Sequence, residues 1–387
     1  MRAGGGCQDA RVTEPFETYS LDELRTRTSI KWRRFEPDVL PLWVAEMDAP
    51  PVTSVVEALT RTLRAGDLGY ASGDTSYAES FAALGERRWG WTLDVARTVL
   101  AADVLTGVRE VLLAATRPDD AVLLPTPVYH PLLDMPAGIG RRLVPCPLTA
   151  EGRLDLHAIE AGMADPRVRV LLLCSPHNPT GVVHTADELR AVAALADAHD
   201  VLVVVDEIHA LLVADGVPFT PWLTVSPRGV VVTSASKAYN MAAIKAAVVV
   251  VGDASADLLE RFPFVMPWGA SHIGIQAHRA AWDGGDAWID AVNANIASNV
   301  AELRSLLAEH LPAVRYSGQD STYLAWLDCR ALGLGDDPSE TFRETGRVSV
   351  NPGTEFGPGG EGFVRLNLAC SRVTLAEAVA RMASCVG

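Results

Sequence analysis

The sequence predicts an α/β fold: a mostly parallel sheet covered by helices on both faces, followed by a smaller α+β domain. Three observations carry this. Short β-branched runs recur from about residue 98, and they are apolar throughout rather than alternating, as buried parallel strands are. Helical stretches separate them, which is the rhythm of βαβ units. A long helical region over 270–311 then leads to two further strand segments.

The elements follow in order. Leu21 to Arg27 reads as a short helix and Leu40 to Val44 as an extended arm. Thr98 to Ala102 reads as a strand, with Gly107 to Thr116 as the helix after it. Ala121 to Leu124, Val168 to Cys174, Val201 to Val205, Gly229 to Thr233 and Ala247 to Val251 are the other strand candidates of the large sheet. After Cys174 the capping box Thr185-Ala186-Asp187-Glu188 marks a helix start, because hydroxyl and carboxylate satisfy each other's free amides. Leu189, Val192, Ala193 and Ala196 then share one helix face. Tyr323 to Asp328 and Gly362 to Leu368 read as strands of the smaller domain.

Composition narrows the function. With 387 residues the chain has volume for a large core, and 49% hydrophobic against 21% charged residues describes a globular protein. A net charge of −15 disfavours nucleic acid and anionic membrane as partners. No run of 18 apolar residues offers a membrane span. Met1 to Ala10 reads as a disordered leader and not as a secretory signal. The six cysteines form no Cys-x-x-Cys pair and the nine histidines no His-Glu-x-x-His, so a metal site has no support and a reducing cytoplasm suits the thiols.

One chemical clue stands out of the composition. Of 33 basic residues only three are lysines: Lys31, Lys237 and Lys245. An amine can lose its proton near neutral pH and condense with an aldehyde, which a guanidinium cannot do. Lys237 lies in Ser234-Ala235-Ser236-Lys237-Ala238-Tyr239-Asn240, directly after a strand candidate. In open α/β sheets ligands bind beyond the carboxyl ends of the strands, so the residues just past each strand are read together.

Gly107-Val108-Arg109 opens the helix after the Thr98 strand, where free amides suit a phosphate. The loop Pro125-Thr126-Pro127-Val128-Tyr129 presents the Tyr129 ring as a stacking plate or, equally, as a core tyrosine. Asn178 is held between two prolines in Ser175-Pro176-His177-Asn178-Pro179. Asp206 ends the Val201 run, where it is either a solvated strand end or the partner of a cationic ring nitrogen. Pyridoxal 5'-phosphate (PLP) needs an amine, a carboxylate, a directional donor, a ring plate and an anion cradle. Lys237, Asp206, Asn178, Tyr129 and the Gly107 turn answer those needs, with Ser234, Ser236 and Lys245 as further phosphate donors. The Lys245 charge would also help lower the Lys237 amine. No Gly-x-Gly-x-x-Gly supports a nicotinamide site.

These residues resemble the class I/II aminotransferase superfamily of fold-type I PLP enzymes: Asn178-Pro179-Thr180-Gly181, Asp206-Glu207 and Ser234-Ala235-Ser236-Lys237 match its motifs in order. Arg365, in Phe363-Val364-Arg365-Leu366-Asn367, matches the arginine that clamps a substrate carboxylate. A narrower resemblance, to the MalY/PatB branch of cystathionine β-lyase-like enzymes, rests on five segments. They are Arg27-Thr28-Ser29-Ile30-Lys31-Trp32, Trp43-Val44-Ala45-Glu46-Met47-Asp48, Gly69-Tyr70, Cys174-Ser175-Pro176-His177-Asn178-Pro179 and Asp206-Glu207-Ile208-His209. It implies a seven-stranded large sheet and a division into a leader 1–15, an arm 16–50, a PLP-binding domain 51–275 and a small domain 276–387. It also implies a cytoplasmic homodimer in which Tyr70 reaches the neighbouring subunit's phosphate. His209 joins the cofactor residues, and Trp43, Ala45, Asn178 and Arg365 line the substrate. The branch usually has Asp where Glu46 stands, a bulky apolar residue at Ala49 and Asn at Ser175, which bears on the substrate.

The implied reaction is α,β-elimination from an S-substituted L-cysteine, giving a thiol, pyruvate and ammonia, with Lys237 as base and Asp206 and Tyr129 beside it. Transamination and decarboxylating oxidative deamination share the cofactor motifs and are the alternatives. A non-catalytic regulator retaining the fold ranks below all three. Lys31 has no chemical role that the sequence reveals.

Overall fold

The computed structural model describes residues 13–386. A two-residue strand, β1 (Leu40–Pro41), precedes the large sheet. That sheet comprises β2 (Thr98–Ala101), β3 (Ala121–Thr126), β4 (Arg142–Pro147), β5 (Val168–Cys174), β6 (Leu202–Asp206), β7 (Val230–Thr233) and β8 (Ala247–Val251). Their spatial order is β2-β8-β7-β6-β5-β3-β4. β8 runs antiparallel to both neighbours and every other pairing is parallel.

Alternation of side chains along each strand divides the apolar runs between two cores. Leu171, Val203, Val205, Val231 and Val248 enter one; Leu172, Val204, Val230, Val232 and Val249 enter the other. All ten are essentially fully buried. Each contributes about 1.5–3 kcal/mol of apolar burial, which is why both faces must be covered. A third cluster unites β1 with the C-terminal strands β9 (Leu324–Asp328), β10 (Val348–Ser349) and β12 (Phe363–Asn367), and β11 (Asn351–Pro352) joins them by pairing with β12. There β12 runs antiparallel between β11 and β9, and β1 pairs in parallel with β10.

Several expectations change. β4 was not read as a strand: Pro145 and Pro147 interrupt its pattern, and they are tolerated because β4 is the edge of the sheet. The region 270–311 is two helices, His272–Gly284 and Asp286–His310. They part at Gly285, where a Cβ would lie 2.4 Å from the Ala281 carbonyl oxygen and 2.6 Å from Tyr239. The second helix sends Ile289 and Ile296 to the large core and Leu303 and Leu307 to the C-terminal one. Of the expected leader, residues 1–12 lie outside the described residues, while Pro15 and Phe16 are buried in a short 3-10 turn.

The Thr185 capping box forms, with the Thr185 hydroxyl accepting the Glu188 amide and Glu188 accepting the Thr185 amide. Among the described residues no helix is long and apolar enough to cross a membrane, and no group of three candidate ligands could hold a metal ion.

Candidate active site

Three adjacent parallel strands end side by side, and their registers align Cys174 with Asp206 and Asp206 with Val232. Asn178, Asp206 and Lys237 therefore emerge from one edge of the sheet. The Asp206 carboxylate is 3% exposed and accepts the Ile208 amide at 3.0 Å. Burial pushes it up to about 7, which the Ile208 amide and the Lys237 charge offset only in part. Lys237 is half-buried as a residue, but its amine is enclosed and donates to the Ala45 carbonyl at 3.2 Å. Burial lowers that amine to about 8, helped by the Arg365 charge and, to a lesser extent, by Lys245. His209 is held neutral, at about 3, by burial together with Lys237 and Arg365, and its Nδ1 has no partner.

Arg365 arrives from the other side. On β12, alternation sends Val364 and Leu366 into the C-terminal core, leaving Arg365 and Asn367 on the opposite face. The guanidinium is 4% exposed. It donates to Asn178 Oδ1 at 3.0 Å, Asn351 Oδ1 at 2.6 Å and the Trp43 carbonyl at 3.2 Å. All three acceptors are neutral, and Nε has no partner among the described residues. A buried cation among neutral oxygens carries its desolvation uncompensated, and burial pulls Arg365 down to about 10. An aromatic ladder backs it: Arg365 lies 4.9 Å from the Phe356 ring centre, Phe356 abuts Trp326, and Trp326 stacks on Phe363 at 5.1 Å.

Lys237, Asp206, Asn178, His209, Arg365, Trp43 and Ala45 thus converge. Tyr129 joins them, its amide donating to the Asn178 carbonyl at 3.0 Å and its phenol raised by burial. Ser234 is buried with its hydroxyl on the Ala246 carbonyl at 2.8 Å, and it accepts the Ser236 amide at 3.1 Å. The Gly107 turn is corrected. The helix is Val104–Ala115, capped by Asp103, so the free amides lie one turn earlier than Val108 and Arg109. Gly107 already donates to the Asp103 carbonyl, Val108 is core, and Arg109 pairs with Glu110 on the surface.

Gly107 serves packing: a Cβ there would lie 2.8 Å from Val232 Cγ1. Lys245 meets this helix start through Asp103 at 3.1 Å. Tyr70 lies outside the cluster, 87% exposed against Trp268.

Sequence reasoning missed Tyr323, whose hydroxyl donates to the Ala45 carbonyl at 3.1 Å, and also Asn351 and Phe356 around Arg365. Asn351 and Phe356 both precede the Gly-rich stretch 357–362 that leads to Arg365, which was the available signal. Tyr323 had none beyond its place at a strand start.

The model of the aminotransferase class I and II family matches residues 37–382. The chain belongs to that family. Within it, a Mycobacterium tuberculosis protein, provisionally named a cystathionine beta-lyase, is 43% identical over 96% of this chain and 98% of its own length. Cystathionine beta-lyase PatB of Bacillus subtilis is 32% identical over 92% of this chain and 95% of its own. A solved structure from Corynebacterium diphtheriae, provisionally described as a PLP-dependent beta-cystathionase, is 33% identical with a TM-score of 0.90. It covers 95% of this chain and 98% of its own.

The residues present fit PLP. Lys237 offers an amine that is partly free at neutral pH, Asp206 a buried acid without a cationic hydrogen-bond partner, and His209 an unpartnered ring nitrogen. Arg365 is an anion receptor of a kind suited to a carboxylate.

Proposed function

We propose that this chain is a PLP-dependent carbon–sulfur lyase that eliminates a thiol from an S-substituted L-cysteine, a thioether amino acid. The observation that carries it is the pairing of a buried amine, Lys237, with a buried guanidinium held by neutral oxygens, Arg365, across the Trp43–Ala45 segment. The relatives named cystathionine beta-lyase supply the reaction class.

Lys237, Asp206, Tyr129, Asn178 and His209 would hold the cofactor, with Lys245 and the first turn of the Val104–Ala115 helix on its phosphate. When bound, PLP supplies an aldehyde for the substrate amine and a ring that accepts electrons. Arg365 grips the α-carboxylate with its paired N–H groups, and Asn178 and Asn351 keep that fork oriented. Lys237, released as a free amine, takes the Cα proton. Asp206 keeps a proton on the ring nitrogen. The Cβ–S bond breaks, the sulfur leaves as thiol with one proton, and water divides the remaining three-carbon unit into pyruvate and ammonia. Glu46, whose charge acts on the Lys237 amine, then bears on which thioether is accepted, whereas Ala49, expected beside it, is buried in the large core.

The protein works in the cytoplasm as a homodimer. Tyr70, Phe264, Val265 and Trp268 form an exposed apolar patch of the kind a second subunit covers; sedimentation of wild-type and Trp268→Asp protein tests this.

The test of function is to supply L-cystathionine to PLP-loaded protein. Equal amounts of pyruvate and thiol support the lyase. A keto acid formed with pyridoxamine phosphate, or carbon dioxide with an aldehyde, would replace it with the alternatives. Absence of a PLP absorbance band that Lys237→Ala abolishes would remove the enzyme reading altogether.

A further inference from the structure

Residues 43–48 form neither helix nor strand; Trp43 to Glu46 are half-buried and Met47 and Asp48 buried, so the carbonyls turned away from water need donors. Side chains reach all five carbonyls from Trp43 to Met47. The Trp43 oxygen accepts Arg365 at 3.2 Å and the Val44 oxygen Asn367 at 2.7 Å. The Ala45 oxygen takes Lys237 and Tyr323, at 3.2 and 3.1 Å. The Glu46 oxygen takes Asn367 at 2.7 Å and Lys31 at 3.2 Å, and the Met47 oxygen Asn240 at 2.9 Å. Asn240 lies three residues from Lys237, and Asn367 two from Arg365. The segment is therefore tied both to the loop bearing the amine and to the strand bearing the guanidinium.

Its third tie is an ion pair. Lys31 bonds Asp48 Oδ1 at 2.7 Å as well as the Glu46 carbonyl, and the two side chains are 1% and 3% exposed. A buried pair contributes little net stability over an apolar replacement, so its effect is sought in geometry. The compact ammonium meets two oxygens two residues apart from a single nitrogen, whereas a larger, planar guanidinium would have to be seated differently. In a chain with 30 arginines, that accounts for a lysine here.

We infer that Lys31 is a positioning residue: its pair with Asp48 fixes segment 43–48 so that the Ala45 carbonyl meets the Lys237 amine and the Trp43 carbonyl braces Arg365. Its use in catalysis rests on the lyase reading; its geometry does not.

The test compares wild type, Lys31→Met/Asp48→Leu and Lys31→Arg, with Val192→Ala in the large core as a control for general destabilisation. With only three lysines, ¹⁵N-lysine labelling resolves the Lys237 amine, whose titration is followed by NMR in protein without added cofactor. In PLP-loaded protein, the dissociation constant of 3-(methylthio)propanoate, a thioether carboxylate lacking the amine, reports on Arg365. A carbonyl hydrogen bond favours the charged amine, so releasing the clamp lowers the Lys237 midpoint by roughly half a pH unit or more. Carboxylate binding weakens ~10-fold in the double variant, as expected for one lost bond to a charged group. Lys31→Arg moves both readouts the same way by less, and Val192→Ala moves neither.

A folded double variant with wild-type values overturns the inference. If the double variant does not fold, wild-type values in Lys31→Arg overturn it instead. Failure of wild-type protein to bind PLP would sink the lyase reading but leave the NMR test of the clamp standing.

Discussion

The lowered Lys237 amine makes a quantitative prediction about cofactor loading. An ordinary lysine titrates at 10.5; burial, then the Arg365 charge, bring Lys237 to about 8. At pH 7 the free-amine fraction rises from roughly 0.03% to roughly 10%, on the order of 300-fold. Because the folded value lies below the unfolded one, the stability of the neutral amine is present above pH 10.5 and lost as pH falls through about 8. The cost of holding the charge at neutral pH is about 3 kcal/mol. The assay is the absorbance rate of PLP loading onto cofactor-free protein between pH 6 and 10, in wild type and in Arg365→Met. Wild type should level off above a midpoint near 8. Arg365→Met, relieved of the second cause, should have a higher midpoint and load more slowly at pH 7. A wild-type rate still climbing at pH 10, or a midpoint unmoved by Arg365→Met, would refute the electrostatic account.

Three other outcomes are expected. Arg365→Lys keeps the charge but loses the fork to Asn178, Asn351 and Trp43; KM for a thioether amino acid should rise roughly 10- to 100-fold with the PLP spectrum unchanged. Gly107→Ala places a methyl 2.8 Å from Val232 and 3.1 Å from Val249. Urea unfolding should show a loss of about 1–3 kcal/mol, and an unmoved midpoint would mean the helix simply shifts. Buried His177 and His209 sit at about 3 and His184 and His278 at about 4, against an ordinary 6.5. The stability from their neutral rings is present above pH 6.5 and drains away as pH falls towards 3–4. Thermal unfolding should show that acid slope, and His184→Phe should flatten it.

What could be read in advance followed from how strongly each position constrains its residue type. An amine, a carboxylate and a guanidinium are specific chemistry, so Lys237, Asp206 and Arg365 were legible from spacing and family motifs. The apolar runs of β5 to β8 were legible because buried parallel strands admit little else. β4 was not, because an edge strand tolerates proline and half its side chains face water. The Gly107 reading failed for a related reason. Glycine beside a strand end suits an anion cradle and close helix–sheet packing alike, and only the distance to Val232 separates them.

The arm marks the limit of such reading. Its contribution comes from backbone oxygens, which every residue carries, so nothing in the identity of Ala45 announces that Lys237 and Tyr323 meet its carbonyl. Side chains that hold a backbone in place are equally silent. Asn240 and Asn367 stand inside the motifs of Lys237 and Arg365, yet their amides matter only because segment 43–48 passes between them. Lys31 is the exception, since a scarce residue type marks it. The three lysines therefore divide by what their ammonium meets. For Lys245, itself exposed, it is a half-buried carboxylate, a partner Arg could serve, and for Lys237 a carbonyl it can leave. Lys31 meets a buried carboxylate and a carbonyl at once. Only the last arrangement needs a charge that stays in place, and that is why clamp and base should respond oppositely to substitution. Lys237 should tolerate no replacement in catalysis, whereas a well-packed apolar pair at Lys31 and Asp48 should fold and fail only in aim.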